Sequence, residues 1–565
     1  MCVKQGRPNV ADTQTYAPHG SRRRSTRGTR VLGGLVYLIA GACLLPMIAV
    51  ALAAVTGGTD TISHLFDTVL PRYGATTLVL VGLVAVGTFT IGVGAAWLVT
   101  MTRFPGVRLL EIALVLPLAF PAYVLAYAYT YVLDHPGIVQ ATLRDVTGWG
   151  PRDYWFPEIR SIGGAAVMLI LVLYPYVYLL ARAAFLQQSA TAFLAARALG
   201  NNALQAFWKV SLPMARPAIA AGVLLAVMET IADFGTVAYF GVQTFATGIY
   251  TSWFSMADRA AAAQLALCLL GFALILAVAE RSQRGRAKYY SAGKAHISMP
   301  PAELKGWHAV LALALCVIPV VLGFVLPVMI LTGMGLESEQ DLFSRRYVGF
   351  LSNSLTLAGT AAVITVFAAI CVGFFQRLRP GRESAMAAYV ARLGYAVPGG
   401  VIAIGLMVPF AAFDNALDAW MRATFDISTG LLITGSIWLL VGAYMVRFLA
   451  AALGAYEGGQ SMVHANMDAA ARSLGETPIG TLRRVHLPIL TPSLLTALLI
   501  VFVDVMKELP ATLIMRPFNF DTLAVQAYRL ASDERLEGAA VPSLVIVAVG
   551  LLPVILICRQ VGRRK

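Results

Sequence analysis

Twelve long apolar stretches dominate this chain, and they leave few folds open to it. Each is close to the 20 or so predominantly apolar residues that a helix needs to cross the hydrocarbon core of a bilayer. Because lipid offers no hydrogen bonds to the backbone, such a spanning segment has to be helical. A mean hydropathy of +0.73 with only 13% charged residues excludes a soluble globular domain. The predicted spans cover residues 31–57, 74–101, 107–133, 162–186, 216–240, 260–281, 307–334, 351–377, 386–411, 429–454, 491–515 and 540–558.

The polar parts of the chain predict its division into segments. Residues 1–30 are rich in Arg and lack an apolar period, so we predict a disordered basic tail. Residues 282–306 are also basic and polar, and we predict a linker there. The first half, residues 31–281, and the second half, residues 307–565, then hold six predicted spans each. Lys and Arg concentrate in the tails, the linker and the connections on their side, which predicts that both termini and the linker are cytoplasmic.

A segment of mixed polarity occurs twice, 275 residues apart. Residues 194–213 read LAARALGNNALQAFWKVSLP, and residues 469–488 read AAARSLGETPIGTLRRVHLP. The register then holds without a gap, with further identities at Pro217/Pro492, Leu224/Leu499, Phe245/Phe520, Thr247/Thr522 and Asp258/Asp533. Such a repeat indicates an internal duplication, and hence two homologous six-helix halves in one polypeptide. Within the segment the identities are Ala195/Ala470, Ala196/Ala471, Arg197/Arg472, Leu199/Leu474, Gly200/Gly475, Val210/Val485, Leu212/Leu487 and Pro213/Pro488.

Each copy of the repeated segment predicts a small helix-turn-helix between two spans. Gly200 and Gly475 follow Ala-rich runs and suit the left-handed residue that ends one helix and starts a turn. The Leu-Pro pair at the end of each copy predicts a break before the next long helix, because Pro cannot continue a helical hydrogen-bond ladder.

In spacing and residue types, both copies resemble the EAA loop of ABC importer permeases, whose short coupling helix docks into a cytoplasmic ATPase. The resemblance implies the type I importer permease fold. The family has a Glu just before the double Ala, whereas this chain has Leu194 and Ala469, and only Asp468 supplies an acid nearby. The residues implied to contact the ATPase are Ala195, Ala196, Arg197, Leu199, Gly200, Leu212, Pro213, Asp468, Ala470, Ala471, Arg472, Leu474, Gly475, Leu487 and Pro488.

Four carboxylates lie inside two of the predicted spans, at matching positions of the repeat. Glu229 and Asp233 are in the fifth span, and Asp504 and Glu508 are in the eleventh. Their spacing of four predicts that each pair shares one helix face. A charge near the bilayer centre costs about 2.5 to 3.5 kcal/mol even on a lenient scale, so we do not expect these side chains to face lipid.

Two roles are open to the four acids. They can satisfy partners inside the helix bundle, since Lys507 lies three residues after Asp504 and hydroxyl groups are close in sequence. Alternatively, the fifth and eleventh spans meet around a transport pathway that these acids line. Oxygen ligands suit a hard cation, so transient contact with a metal ion is one use of such a lining.

The two acid-bearing stretches carry a more specific resemblance. Residues 228–254, METIADFGTVAYFGVQTFATGIYTSWF, and residues 504–536, which include KELPATL and RPFNFDTLA, look like the fused two-half permeases of ferric-iron ABC importers. The resemblance implies delivery of iron by an extracytoplasmic binding protein and a place in the bacterial inner membrane. Thiamine and phosphonate permeases are similar to the same stretches.

No motif for chemistry is present in the sequence. It has no GxxxxGK[ST] loop for a nucleotide, no HExxH and no GxSxG, and its six Cys residues show no CxxC spacing. We therefore predict a transport subunit and not an enzyme, with no cofactor bound by this chain. ATP and Mg²⁺ would be bound by partner ATPase subunits, expected as a homodimer, and no nucleic acid is expected as a partner. A secondary transporter driven by an ion gradient is the alternative, since it also has repeated halves and intramembrane acids.

Overall fold

A computed structural model of the protein describes residues 27–188, 190–287, 302–338, 340 and 343–562, and nearly all of its regular structure is helical. Most of the predicted tail, residues 1–26, and residues 288–301 of the predicted linker lie outside the described residues. The rest of the linker includes the end of a long helix, which continues to Ala287, and a two-residue strand. That strand, Ala302–Glu303, pairs in parallel with Thr102–Arg103.

The helices of the two halves follow the same general order along the chain. Those of the first half are α1 Arg27–Thr56, α2 Thr59–Thr68, α3 Leu70–Met101, α4 Val107–Ala113, α5 Ala122–Leu133, α6 Ile138–Thr147, α7 Ile162–Gln187, α8 Ala190–Ala198, α9 Ala203–Ala206, α10 Leu212–Ala232, α11 Gly235–Tyr239, α12 Phe245–Tyr250 and α13 Arg259–Ala287. Those of the second half are α14 Trp307–Val320, α15 Leu326–Glu337, α16 Arg345–Leu378, α17 Arg382–Leu393, α18 Gly399–Phe425, α19 Ile437–Gln460, α20 Ala465–Ser473, α21 Pro478–Thr481, α22 Leu487–Met506, α23 Pro510–Met515, α24 Leu523–Ser532 and α25 Leu536–Gly562.

The prediction of an all-α membrane protein with about twelve spans is confirmed. In the described residues, eleven helices are long and apolar enough to cross a membrane. A twelfth span results if Val107–Ala119 and Ala122–Thr147, which are bent by 92° at their junction, count as one.

The first span of each half, α1 in the first and the continuous α14–α15 in the second, packs against the other half. Helix α1 contacts α16, α17 and α18 of the second half, and α15 contacts α5 of the first half as well as α25. The approach of α1 to α18 is very close, because a Cβ placed on Gly405 would come 2.2 Å from the carbonyl oxygen of Pro46. One continuous cluster of buried apolar side chains runs through both halves. The halves thus share a core and do not fold as separate bundles.

The third and ninth predicted spans are each broken at an equivalent proline. A short 3₁₀ turn ends at Ala119 in the first half and at Ala396 in the second, and a new helix begins after Pro121 and after Pro398. Proline disfavours helical geometry in the residue before it, which explains the extended backbone at this point. The second-half span therefore begins at residue 399 and not at the predicted 386.

The fifth and eleventh spans also differ from the prediction. They end at Ala232 and Met506, and short helices follow from Gly235 and Pro510. Asp233 and Glu508 consequently lie in breaks, and the prediction that each acid pair shares one face of a continuous helix is wrong.

The predicted breaks at Leu212-Pro213 and Leu487-Pro488 are absent. In each copy the helix passes through a π turn, residues 207–211 or 482–486, and continues into the span. The N–H of Leu212 donates to the carbonyl of Phe207, five residues earlier. This wider turn shifts the hydrogen-bond register just ahead of the proline, which has no N–H to donate, so the helix accommodates it without ending.

Candidate functional site

The four predicted acids converge on one cavity between the two halves. It has a volume of about 150 Å³, and Glu229, Asp233, Asp504 and Glu508 all line it. All four breaks described above border the cavity, so irregular backbone occurs where it faces an internal space. The other polar side chains of its wall are Tyr123, Tyr176, Tyr395, Arg447 and Lys507.

On the first-half wall, Asp233 is held by backbone groups. Its Oδ1 accepts hydrogen bonds from the N–H groups of Thr236 (3.0 Å) and Val237 (3.2 Å), and its Oδ2 accepts one from the Thr236 hydroxyl at 3.0 Å. Asp233 therefore caps α11, which explains why the preceding helix stops at this residue. Glu229, on the last turn of α10, accepts a hydrogen bond from the Tyr395 hydroxyl of the second half at 3.3 Å.

On the second-half wall, Glu508 caps α23 in the same manner and is paired with a cation. Its Oε1 accepts from the N–H of Ala511 at 2.9 Å, and its Oε2 accepts from the N–H (3.2 Å) and hydroxyl (2.9 Å) of Thr512. The Tyr444 hydroxyl donates to Oε2 at 3.3 Å, and Arg447 Nη1 lies 3.1 Å from Oε1. The side chain of Glu508 is only 3% exposed.

The second acid of this wall also has a cationic partner. Lys507 Nζ lies 2.9 Å from Asp504 Oδ1, and both side chains remain partly exposed, by 28% and 27%. The sequence had pointed to this pairing as one of the two roles open to the acids. The structure shows that the pairing and the position on the cavity wall occur together.

The two walls differ in charge because the cations are not repeated. In the register of the duplication, Arg447 corresponds to Val172 and Lys507 corresponds to Ala232. Val172 and Ala232 line the same cavity as apolar residues. Among the described residues of the cavity, carboxylates are thus the only charged groups of the first-half wall, whereas each carboxylate of the second-half wall has a cation beside it.

A stacked aromatic pair, Phe234 and Tyr250, lies where this cavity approaches a second one, and we call the pair the aromatic plug. The rings of the two residues are stacked, with centroids 3.6 Å apart, and the Tyr250 hydroxyl donates to the carbonyl of Pro510 in the other half. Phe234 lines both cavities. The second cavity, of about 570 Å³, is formed by segments that follow the breaks at the ends of α10 and α22 remote from the repeated segments, and by Tyr73 near the start of α3. We call it the outer vestibule, because it lies opposite the side that the charge distribution predicts to be cytoplasmic, and its wall includes Tyr73, Phe254, Tyr528, Arg516 and Arg529.

The repeated segments form the predicted helix-turn-helix in both copies. Gly200 and Gly475 have φ angles of 87° and 83°, in the left-handed region. Leu199 and Leu474, just before them, are each 83% exposed. Exposure matches between the copies along the first helix: Ala195, Arg197, Ala470 and Arg472 are exposed, whereas Ala196 and Ala471 are buried. At the start of the spans, Leu212 is buried, Pro213 and Leu487 are half-buried, and Pro488 is exposed.

The two segments are attached to the protein by different chemistry. The Asp468 carboxylate lies 2.8 Å from Arg377 Nε and 2.6 Å from His486 Nε2. Burial raises the pKa of Asp468, but the hydrogen bonds from His486 and Arg377 outweigh it and hold the pKa below its usual value. At the matching position of the first copy, Phe193 packs against Trp97 with ring centroids 5.9 Å apart. Asp468, which the resemblance had implied as an ATPase contact, is therefore engaged within this chain.

The cavity contains functional candidates that the sequence reasoning missed. Arg447 lies inside a predicted span, and an intramembrane cation was the signal that could have identified it. Tyr123, Tyr176 and Tyr395 gave no signal, because aromatic residues are common in apolar spans. Among the residues that the structure describes, no three His, Cys, Asp or Glu side chains are close enough to hold a metal ion. The acids thus do not form a ready-made set of metal ligands in this conformation.

Comparisons with known proteins bear on this geometry. Residues 88–286 match the family described as binding-protein-dependent transport system inner membrane component. A Fe(3+)-transport system permease protein of Haemophilus influenzae is 26% identical over 538 residues, which cover 93% of this chain and 97% of that protein. A ferric transport system permease protein of Actinobacillus pleuropneumoniae is 24% identical over 508 residues, 86% of this chain and 70% of that protein. A putative 2-aminoethylphosphonate transport system permease protein of Salmonella typhimurium is 25% identical over 199 residues, 35% of this chain and 69% of that protein.

Proposed function

Because the chain is a membrane permease subunit of a binding-protein-dependent importer, we propose that its two halves together form the path of one cargo, and that this cargo is ferric iron. The cavity carries the proposal, since each half contributes two carboxylates to it. Carboxylate and phenol oxygens are hard ligands, and Fe³⁺ is a hard cation. The similarity of nearly the whole chain to a Fe(3+)-transport permease supports the same cargo.

The energy source would be a separate ATPase. The sequence has no phosphate-binding loop, so ATP and Mg²⁺ would be bound by partner subunits that this chain contacts through its two repeated segments. The same residue types are exposed along the first helix of both copies, which supports two identical ATPase subunits. This arrangement requires both segments, and with them both termini, on the cytoplasmic side of the inner membrane.

The proposed transport cycle starts from the state in which Phe234 and Tyr250 are stacked. A binding protein would release cargo into the outer vestibule, and separation of Phe234 from Tyr250 would admit it to the acidic cavity. The carboxylates would then stabilise the cation in place of water while the cavity has no opening to the outer side. Closure of the ATPase subunits would drive this change, because the segments that contact them continue directly into α10 and α22.

One observation favours a second cargo. Arg447 and Lys507 give the second-half wall cationic groups, whereas the carboxylates of the first-half wall form no salt bridge with any residue that the structure describes. A zwitterion such as 2-aminoethylphosphonate, with an ammonium and a phosphonate group, would fit this polarity. The similarity to a permease for that compound covers only 35% of the chain, which places it second to ferric iron.

Uptake by whole cells tests the proposal. Cells that lack this permease are complemented with the wild type, with the double variant Glu229→Gln/Asp504→Asn, or with Glu303→Gln, a control at a site 69% exposed and remote from the cavity. Uptake of radioactive ferric iron and of labelled 2-aminoethylphosphonate is measured beside membrane abundance.

We expect the wild type and the control to restore iron uptake. The double variant should lower uptake at least about tenfold at equal abundance, the factor that a loss of about 1.4 kcal/mol of binding produces. If the wild type restores uptake of 2-aminoethylphosphonate but not of iron, the cargo is the phosphonate. Restored uptake of neither would contradict both.

A further inference from the structure

The two cations of the cavity differ in how firmly they are held. Arg447 is 14% exposed and its partner Glu508 is 3% exposed, and a Cβ on Gly399 would come 2.0 Å from the Arg447 guanidinium. This pair is locked into the wall of the cavity. Lys507 and Asp504 remain 28% and 27% exposed and are joined by one contact of 2.9 Å.

The backbone of Lys507 is fixed, whereas its side chain has room to move. Its N–H donates to Val503 at the end of α22, and its carbonyl accepts a hydrogen bond from the Tyr123 hydroxyl at 3.4 Å. The ammonium is carried on four methylene groups whose rotations keep it within reach of the cavity. It can therefore leave Asp504 without any change in the fold.

The opposite wall shows what the cavity is like without such a lysine. Ala232 occupies the matching position, and Glu229 accepts only a hydroxyl hydrogen bond, from Tyr395, among the contacts that the described residues show. A cation that enters the cavity therefore finds one acidic wall open and the other already neutralised. The Lys507–Asp504 pair is half-buried but open to the cavity, and a cation that takes the place of the ammonium keeps the charge of Asp504 compensated, so the exchange leaves no unpaired carboxylate at this position.

We propose that Lys507 is a tethered cation that occupies the cargo's place at Asp504 while the cavity is empty. Cargo displaces the ammonium, and Glu229 and Asp504 then bind the cargo from opposite halves. When the cavity opens to the cytoplasm, Lys507 returns to Asp504 and lowers the affinity, which favours release. This inference rests on the proposed function in one respect, that the cargo is a hard cation.

Tb³⁺ is a suitable probe of the exchange. It is a hard trivalent cation, and its luminescence is sensitised by excited tyrosines, three of which line this cavity. The full-length purified protein in detergent is titrated with Tb³⁺, and the signal of the cavity is defined as the part lost in Glu229→Gln. Membrane abundance and elution as a single species are recorded for each variant.

The proposal predicts in which direction each variant changes the affinity for Tb³⁺. Lys507→Met should bind Tb³⁺ about tenfold more tightly, and Lys507→Arg, which retains the charge, should bring the affinity back toward the wild type. Ala232→Lys, which adds a second tethered cation to the opposite wall, should weaken binding about tenfold. Ala232→Met controls for the size of the side chain introduced at residue 232. Lys305→Met, at a side chain that is 86% exposed, controls for the loss of a lysine.

Several results would overturn the inference. These are an affinity in Lys507→Met equal to that of the wild type, an affinity unchanged by Ala232→Lys, or no cavity signal in the wild type. If Lys507→Met does not fold, Ala232→Lys decides alone, because it removes no partner. Iron uptake that is normal in both charge variants would refute the exchange and leave the proposed function intact. The expected Tb³⁺ pattern without iron uptake by the wild type would refute iron as cargo and leave the exchange intact.

Discussion

Replacing Glu508 by Gln should destabilise the protein far more than replacing Asp233 by Asn, although the two acids occupy matching positions of the repeat. The difference follows from their hydrogen bonds. Asp233 accepts both of its backbone N–H hydrogen bonds on Oδ1, and within the described part of the chain Oδ2 accepts only from the Thr236 hydroxyl. An Asn amide nitrogen at the Oδ2 position can donate to the oxygen of that hydroxyl, so both backbone bonds are kept and the third bond is replaced by one in the reverse direction.

Glu508 allows no such replacement. Each of its oxygens accepts from a different backbone N–H, of Ala511 or of Thr512. Either orientation of a Gln side chain therefore turns an amide N–H group toward a backbone N–H, and a buried donor without a partner costs about 1 to 3 kcal/mol. The charge of Arg447 also loses its compensation, and breaking a buried ion pair costs about 3 to 5 kcal/mol. Because these effects share one site, we expect a total near that second range, against about 1 kcal/mol or less for Asp233→Asn.

Thermal unfolding of the purified full-length variants in detergent measures the difference. The readout is the temperature at which half of the protein no longer elutes as a single species. Glu508→Gln should lower this temperature strongly and reduce membrane abundance, whereas Asp233→Asn should behave nearly as the wild type. Equal losses in the two variants would refute the reasoning from hydrogen bonds, and a stable Glu508→Gln would show that Arg447 needs no counter-charge.

Three further predictions concern single side chains. Gly399→Ala inserts a methyl group 2.6 Å from Glu508 Oε1 and should lower the unfolding temperature, whereas Gly400→Ala, whose Cβ makes an ordinary 3.4 Å contact, should not. Gly475→Val should reduce co-purification of the ATPase at normal membrane abundance, because a β-branched side chain strains the left-handed backbone at this position. Gly475→Asn should reduce co-purification less, since Asn tolerates this backbone better. Equal ATPase binding by the two variants would show that the turn does not matter for coupling. Tyr250→Phe removes the hydrogen bond from the Tyr250 hydroxyl to the Pro510 carbonyl, which contributes about 0.5 to 1.5 kcal/mol. The variant should therefore raise the passive leak of labelled cargo into vesicles. An unchanged leak would argue against the role of this pair as a plug.

The sequence predicted those features of the fold that depend on local chemistry. The apolar stretches required spanning helices, and Gly200 and Gly475 adopt the left-handed backbone that their positions indicated. The predicted helix breaks at the two Leu-Pro pairs were wrong, because a π turn lets the helix continue through the proline. Whether such a turn forms depends on the hydrogen-bond register and not on composition. The ends of α10 and α22 could not be placed, because the apolar composition continues through both breaks.

The site was predictable to the extent that it obeys the repeat. Matching positions identified the four acids, and the structure brings them to one cavity. Arg447 departs from the repeat, since its counterpart is Val172, so the comparison of the two halves could not identify it as a site residue. Tyr395 approaches Glu229 from the other half, and the sequence alone does not determine which helices cross between halves.

The continuity of helix through each π turn has a mechanical consequence. Residues 203–232 form one rod of about 45 Å at 1.5 Å per residue, with the repeated segment at one end and Glu229 near the other. A tilt of such a rod by about 5° moves its far end by about 4 Å. This stroke is comparable to the 3.6 Å between the rings of Phe234 and Tyr250. A displacement of the repeated segment is thus transmitted along this helix to the acidic cavity, where the helix ends at Asp233.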